Sequence, residues 1–321
     1  MVYFVKKNMV NVVISKFHTN SILVTGSHRS GTTWVGKMLA QSRYVFYLQE
    51  PFNPPHTHIS PALLPHQLYY IRPNGEVPPI KAAMDKVLAL HEPFNYSGLR
   101  YRFNDKFNFY KYTRRLVGLP RPLVKDPVAV FSSAWLAQTY QMDVICLVRH
   151  PAAFVLSLIK ADWPPEFESL LAQPALMEDY LHPFRAEMEN PPQLLVERAA
   201  LLWTLIYYVL SSYIDQHDEW LVMRLEDLAD DPIIGFAKLF HYLGLPYSRR
   251  IQRIIDEYSN PNNPIEAPPD NGALIRRHSR ASQQVWRERL QAAEIYAIRR
   301  ITEPVSSRFY TDSDWAINYR R

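Results

Sequence analysis

The stretch from Ser21 to Gln41 constrains the fold more than any other part of the chain. It begins with the short apolar run SILVT, continues through the loop GSHRSGTTW, and enters the run VGKMLAQ. A strand that leads directly into a loop and a helix points the first backbone N–H groups of that helix at one position, where the helix dipole also favours negative charge. The stretch therefore predicts a strand, an anion-binding loop and a helix.

The loop is close to a nucleotide-binding P-loop but lacks its lysine. The P-loop pattern places a lysine directly after its second glycine, whereas this chain has Thr32 there. The positive charge lies inside the loop at Arg29, from which it can reach a terminal anionic group without a metal. Gly26 and Gly31 relieve side-chain crowding in the loop. Hydroxyl groups add donors for the same anion, namely those of Ser30, Thr32 and Thr33.

Alternating strands and helices predict an α/β fold. Short apolar, β-branched or aromatic runs predict the strands Ser21–Thr25, Val45–Leu48, Leu123–Lys125, Val144–Val148 and Trp220–Arg224. Apolar residues at three- and four-residue spacing predict the helices Thr32–Gln41, Val128–Tyr140, Pro151–Lys160, Gln193–His217 and Ile233–Leu243. This order implies a P-loop-type three-layer αβα fold with a mainly parallel central sheet. We expect a single domain over residues 1–321, with its core at about 21–247.

Proline-rich insertions interrupt this alternation at Pro51–Pro79, Trp163–Pro192 and Ser259–Gly272. In an open α/β sheet, ligands bind beyond the carboxyl ends of the strands. Long insertions there are therefore expected to form the walls and the lid of a substrate cleft.

Composition narrows the class of protein. Lys and Arg number 36 against 31 Asp and Glu, a net charge of +5 that favours anionic ligands. Cys146 is the single cysteine, which excludes an internal disulfide and makes the cytoplasm the default location.

The longest apolar run, Ala199–Ile214, is shorter than the ~20 residues that a bilayer requires, so we expect a buried core helix and no membrane span. His56 and His58 have no further ligand cluster in register, and we expect no metal site.

A second loop carries the decisive signal. The run VICLVRHPAAFVLSL places Arg149 at the end of a predicted strand and Ser157 about two helical turns later, so that both can meet at the carboxyl edge of that strand. Together with Ser-Gly-Thr-Thr-Trp in the first loop, this pattern resembles the sulfotransferases that use 3′-phosphoadenosine 5′-phosphosulfate. The resemblance extends in order from about Ser21 to Tyr247. Within the family, this part of the chain is similar to the bacterial branch.

The resemblance implies a donor site made of both loops. The 5′-phosphosulfate would be bound by Arg29, Ser30, Gly31, Thr32 and Thr33, with Trp34 near the adenine. The 3′-phosphate would be bound by Arg149 and Ser157. The basic run IRRHSRASQQVWRERL is similar to the segment of the family, here within residues 259–321, that closes over the nucleotide, although the Gly-rich signature is absent. Its candidate contacts are Arg280, Trp286 and Arg287; alternatively, Arg276, Arg277 and Arg280 form a solvated basic edge.

The resemblance also implies catalytic groups. Lys125 would lie against the transferring group, and Arg29 would add positive charge. Cytosolic members carry Lys-Thr-His where this chain has Lys125-Asp126-Pro127, so their catalytic histidine has no counterpart. Glu50 precedes Pro51 as in the carbohydrate sulfotransferases, where a glutamate is assigned as the base. We therefore expect Glu50 to be the base, with His56 or His58 in reserve.

Structural alternatives remain open for these residues. Glu50 can pair with Arg43 at the surface. Arg149 can form a buried ion pair with Asp126, and Ser157 can bond to its own helix backbone.

The sequence predicts an enzyme that transfers sulfate, without a metal, to a hydroxyl of a small molecule or glycan, with a sugar or glycoconjugate favoured. Two other functions remain as alternatives: an atypical P-loop nucleotide kinase, and a non-catalytic module that binds RNA or another polyanion. The basic residues cluster in two loops rather than along one exposed face, which argues against a nucleic-acid partner.

Overall fold

The computed structural model describes residues 20–53, 59–89, 120–266 and 275–316. The strands are β1 Ile22–Gly26, β2 Val45–Gln49, β3 Arg121–Lys125, β4 Asp143–Val148 and β5 Leu221–Arg224. Each predicted strand is confirmed, with shifts of no more than two residues at any end.

The longer helices include the predicted ones and add several that the spacing did not reveal. They are α1 Thr32–Leu39, α2 Pro78–Leu88, α3 Ser133–Tyr140, α4 Pro151–Lys160, α5 Leu195–Gln216, α6 Leu225–Asp230, α7 Pro232–Tyr242, α8 Arg249–Ser259, α9 Ser279–Gln284 and α10 Ala292–Ser306. Short α-helical turns lie at Glu168–Leu171, Pro174–Leu176, Arg185–Glu189, Trp286–Arg289 and Asp312–Trp315. The 3₁₀ turns are Pro61–Leu63, Val130–Ser132 and His182–Phe184, and a π turn spans Met177–Leu181.

Helix α3 begins later than the apolar spacing predicts. The carboxylate of Asp126 accepts hydrogen bonds from the backbone N–H groups of Val128, at 2.9 Å, and Ala129, at 3.0 Å. These bonds form a tight turn, and the 3₁₀ turn Val130–Ser132 follows it before the α-helix starts at Ser133. A short polar side chain thus competes with the helix for the backbone groups of this segment.

The sheet is parallel throughout, in the order β2-β3-β1-β4-β5. The mainly parallel α/β fold predicted from the sequence is therefore confirmed. The chain leaves β1 towards β2 and β3 on one side and then crosses to β4 and β5 on the other. The carboxyl ends of β3, β1 and β4 consequently meet at the point where the strand order reverses, which is where open α/β sheets bind ligands.

Both faces of the sheet are covered, and alternate residues of each strand enter different hydrophobic clusters. In β1, Ile22 and Val24 pack with residues of α1, α7 and α8, whereas Leu23 packs with residues of α3, α4 and α5. All three side chains are fully buried. This alternation is the period of two expected for a strand between two helical layers.

Helix α5 lies in the core. Its 22 residues exceed the apolar run seen in the sequence, and within the described residues it is the one helix whose length and composition would allow it to cross a membrane. Most of its apolar stretch is buried, and it packs against α10 and α4. The prediction of a buried core helix is confirmed, while the cytoplasmic location stays a prediction.

Two of the proline-rich insertions contact each other. Gln173, in the second insertion, accepts a hydrogen bond from the backbone N–H of Tyr70 at 2.9 Å. Arg72 forms an ion pair with Asp179 at 2.7 Å. The first and second insertions are thereby joined in one polar layer, while residues 54–58 and 267–274 lie outside the described part of the chain.

The end of β1 requires a glycine. Gly26 has φ 135°, and a Cβ there would lie 2.3 Å from the backbone oxygen of Leu147 in β4. Gly31 has φ 85°, but a Cβ there would meet the terminal Cδ1 of Leu225, at 2.6 Å, which is part of a movable side chain.

We predict that Gly26→Ala lowers the free energy of unfolding by at least about 3 kcal/mol, because backbone strain and a backbone clash add together. We expect Gly31→Ala to cost roughly 1–2 kcal/mol, mostly from its positive φ. Urea denaturation of the two variants checks this difference. Equal losses would show that the β1–β4 contact at Gly26 does not set the requirement.

Candidate functional site

The first loop presents free backbone donors. Arg29 has φ 66° and Gly31 has φ 85°, so the loop turns tightly before α1. The backbone N–H of Ser30 donates to Ser27 O at 3.2 Å and closes the turn. Helix α1 has no side-chain hydrogen bond at its N-cap and no acidic residue in its first turn. The positive end of this helix is therefore available to an anion.

The side chains of the loop differ in their availability. The Ser30 hydroxyl points back into the turn and donates to Ser27 O at 2.6 Å. Thr32 is 3% exposed, and Thr33 is half-buried. Trp34 packs edge-on against Phe236 of α7, with ring centroids 5.2 Å apart, and its Nε1 is buried without a hydrogen-bond partner. The loop thus offers mainly its amides and Arg29.

The second loop meets the first through Arg149. This residue directly follows β4, and its Nη1 donates to the backbone oxygen of Arg29 at 2.6 Å. Asp126, the partner considered for Arg149, instead bonds to backbone N–H groups. Ser157 lies in α4, and its hydroxyl donates to Phe154 O at 2.7 Å. This is the bond to its own helix backbone that the sequence left open as an alternative.

A third arginine completes a cationic cluster. Arg277, which precedes α9, lies close enough for its charge to act on Arg149. Burial lowers the pKa of Arg149 to about 10; Glu226 opposes this shift, while Arg29 and Arg277 add to it. Burial and Arg29 also lower the pKa of Arg277, against Glu266. Burial is the main cause of both shifts, and the neighbouring like charges add to it; a bound anion would relieve both effects, so the cluster is suited to an anion.

Glu226 is held by other donors. Its carboxylate accepts hydrogen bonds from the His150 backbone N–H and the Tyr310 hydroxyl, both at 2.9 Å. The carboxylate therefore supports the start of α4 as well as opposing the charge of Arg149.

The predicted C-terminal contacts are engaged with protein groups. Arg280 is exposed and lies 3.2 Å from Asp230. Trp286 is 2% exposed and stacks on His150 with centroids 4.6 Å apart. Arg287 donates to Asp314 O at 2.7 Å. Of this basic run, the structure instead brings Arg277 to the two loops. The sequence had placed Arg277 only on a basic edge.

His28 was not singled out in the sequence. Its ring lies 5.2 Å from that of Phe154 and 5.3 Å from that of Trp163. Burial, together with Arg29, lowers the pKa of His28 to about 4, so the imidazole is neutral at physiological pH. The aromatic contacts, rather than a charge, fix this side of the loop.

Glu50 and Lys125 form a buried ion pair at the other side of β1. Lys125 is 1% exposed, and Nζ contacts Glu50 Oε1. The Glu50 backbone N–H donates to Lys125 O at 2.8 Å, and Asn53 Nδ2 donates to Glu50 Oε2 at 2.6 Å. The surface alternative for Glu50 does not hold, because Arg43 instead donates to the hydroxyl of Tyr44.

Asp126 anchors the turn that carries Glu50. Its fully buried carboxylate accepts a hydrogen bond from the Phe52 backbone N–H at 2.7 Å, in addition to the two that begin the α3 turn. Burial raises the pKa of Asp126 to about 7, while the backbone donors favour the ionised form. A signal for this role exists in the sequence, since an aspartate between a strand end and a proline is a typical turn residue.

The reserve bases His56 and His58 lie outside the described residues. Within the residues that the structure does describe, no group of three or more His, Cys, Asp or Glu side chains is arranged to hold a metal ion.

We predict that Glu50→Gln lowers the free energy of unfolding by about 3 kcal/mol, because the buried ammonium of Lys125 loses a carboxylate partner. Adding Lys125→Met should regain most of this loss, since the unbranched side chain fits the space and no charge remains. Urea denaturation of the single and double variants measures both values. A double variant less stable than Glu50→Gln would show that the loss does not come from the unpaired ammonium of Lys125.

Comparisons with protein families and solved structures show what this chain is similar to. A family model described as the Sulfotransferase family matches residues 21–249. A search of curated protein sequences gave no significant match. Among solved structures, the sulfotransferase domain from the curacin biosynthetic pathway is 15% identical, with a TM-score of 0.50 over 90% of this chain and 97% of that chain.

Two further solved structures are similar over most of their length. Mouse sulfotransferase SULT7A1, solved with PAP, is 12% identical, with a TM-score of 0.46 over 92% of this chain and 87% of that chain. Sulfotransferase STF9 from Mycobacterium avium is 14% identical, with a TM-score of 0.42 over 92% of this chain and 78% of that chain. The family model covers well over half of the residues, and the chain therefore belongs to the sulfotransferase family.

Proposed function

We propose that this sulfotransferase transfers the sulfuryl group of 3′-phosphoadenosine 5′-phosphosulfate to a hydroxyl group of its acceptor, without a metal. The observation that carries the proposal is the pair Arg29 and Arg149, which follow β1 and β4 and are joined by a hydrogen bond, together with Arg277 from the segment before α9. A nucleotide with one phosphate chain needs one anion loop. A second set of fixed guanidiniums at the neighbouring strand end suits a nucleotide that carries a separate 3′-phosphate.

In this proposal the two loops divide the donor between them. The amides at the start of α1, with Arg29 and Thr33, bind the 5′-phosphosulfate. Arg149 and Arg277 bind the 3′-phosphate, and Trp34 lies near the adenine. Ser157 can donate to that phosphate once its hydroxyl turns away from Phe154 O.

Lys125 and Glu50 supply the chemistry. The acceptor oxygen attacks sulfur, the bond from sulfur to the 5′-phosphate oxygen breaks, and adenosine 3′,5′-bisphosphate leaves. Glu50 accepts the proton of the acceptor hydroxyl, and Lys125 and Arg29 stabilise the charge that develops on the leaving phosphate. Contacts with Lys125 and Asn53 hold the Glu50 carboxylate in place at the end of its strand.

The acceptor is proposed to be a small molecule or glycan, with a sugar or glycoconjugate favoured by the Glu50-Pro51 pattern. The joined proline-rich insertions are proposed to form part of its wall. A panel of hydroxylated acceptors, tested with labelled sulfate donor, identifies the class directly.

We predict metal-independent binding of adenosine 3′,5′-bisphosphate that falls at least about 10-fold in Arg149→Ala and in Arg277→Ala, because each loses a charge-assisted contact to phosphate. Arg276→Ala is the matched control, since this neighbouring arginine is exposed and pairs with Glu257 instead. Calorimetric titration with and without EDTA measures these affinities. Preferential, magnesium-dependent binding of ATP would favour a kinase instead.

We predict that Glu50→Gln retains bisphosphate affinity while turnover falls about 100-fold or more, because general-base catalysis is lost. Assays run below the unfolding temperature of the variant separate this loss from the loss of stability. Unchanged turnover would place the base elsewhere.

A further inference from the structure

We propose that Tyr207 of α5 is a positioning residue that couples the two anion loops, an inference that rests on the proposed function for the identity of the ligand. Tyr207 is fully buried in the helix that the sequence indicates only as core. Its hydroxyl nevertheless contacts the loop after β1 and the loop after β4 at the same time.

The hydroxyl of Tyr207 has hydrogen-bond partners on three residues. It donates its one hydrogen to Leu147 O at 3.1 Å and accepts from the Arg149 backbone N–H at 3.2 Å. The third contact, 2.9 Å to Ser27 Oγ, must then be donated by the serine. Two of the three partner residues, Ser27 and Arg149, belong to the separate anion loops.

Trp203 holds the same backbone from its other side. Its indole Nε1 donates to Arg149 O at 2.8 Å, so both backbone polar groups of Arg149 are bonded to α5. The guanidinium of Arg149 in turn donates to Arg29 O. Hydrogen bonds therefore link α5 to Arg149, Arg149 to Arg29 in the first loop, and Ser27 of the same loop back to Tyr207 of α5.

The chemistry of these side chains indicates what the linked hydrogen bonds between α5 and the two loops do. Phenylalanine would fill the position of Tyr207 without burying a hydroxyl, a group that is costly in a core unless it is bonded. Arg29 and Arg277 add like charge beside Arg149, so the site needs contacts that hold its loops together when no anion is bound. The bonds of Tyr207 are such contacts, and they hold Arg149 in place for a second phosphate.

The test compares adenosine 3′,5′-bisphosphate with adenosine 5′-phosphate, because the ratio of their Kd values reports the gain from the 3′-phosphate. We expect Tyr207→Phe to reduce this ratio about 10-fold, the size of effect produced by leaving a buried backbone donor unbonded. In an Arg149→Ala background, Tyr207→Phe should change the ratio less than 2-fold, because the tyrosine acts through Arg149.

Tyr213→Phe is the matched control. It lies on the same helix, is 1% exposed, and its hydroxyl donates to Phe131 O at 2.7 Å, away from both loops. We expect it to lower the Tm but to leave the ratio unchanged. If Tyr207→Phe does not fold, Ser27→Ala, which removes one donor to Tyr207, should lower bisphosphate affinity several-fold.

The outcomes are distinguishable. A wild-type chain that does not bind the bisphosphate overturns the proposed function and this inference together. If the wild-type chain binds the bisphosphate normally and Tyr207→Phe leaves the ratio of Kd values unchanged, the coupling alone is overturned. If Tyr207→Phe does not fold, unchanged bisphosphate affinity in Ser27→Ala overturns the coupling in the same way. A reduced ratio that is equally reduced by Tyr213→Phe also overturns it, since the effect would then come from general destabilisation.

Discussion

The contact between the loops after β1 and β4, held by the hydrogen bonds of Arg149 to Arg29 and to α5, is the constraint on which the rest of the site depends. The strand order places β1 between β3 and β4, so that the loops after β1 and β4 meet. Arg29 and Arg149 come together there, and Arg277 joins them from the segment before α9. A guanidinium that is partly removed from water needs groups that hold it in place and a counter-charge nearby. Helix α5 holds the backbone of Arg149, Glu226 opposes its charge, and the proposed anionic ligand would add a further counter-charge.

The same strand order separates binding from chemistry. On the β4 side of β1, arginines and backbone amides surround the proposed donor. On the β3 side, Lys125 and Glu50 form a buried pair, and Asp126 anchors the turn that carries Glu50. Two strand ends thus hold the groups that we propose for anion binding and for proton transfer on either side of one loop, the arrangement that catalysis by positioning requires.

Much of the fold could be predicted from the sequence, because each strand is a short apolar run and the helices between them have clear spacing. The two loops were also predictable, since glycine, arginine and serine stand at positions that the strand–loop–helix geometry dictates. The start of α3 was not, because the Asp126 turn replaces its first helical turn. Periodicity does not register a polar side chain that captures backbone N–H groups.

Tertiary contacts explain the other differences. Arg277 follows residues 267–274, and no local pattern distinguishes it from Arg276 or Arg280; only the folded chain brings it beside Arg149. Trp286 and Arg287 were predicted as nucleotide contacts because they are aromatic and basic. In the structure, Trp286 stacks on His150 and Arg287 donates a hydrogen bond to Asp314 O. Tyr207 has the spacing of a core residue, and its hydroxyl partners lie on two distant segments.

The most direct test of the central claim is a crystal structure with adenosine 3′,5′-bisphosphate bound. Our account predicts the 5′-phosphate at the amides that begin α1 and the 3′-phosphate between the guanidiniums of Arg149 and Arg277. A nucleotide bound elsewhere, or one whose 3′-phosphate faces solvent away from both arginines, would contradict it.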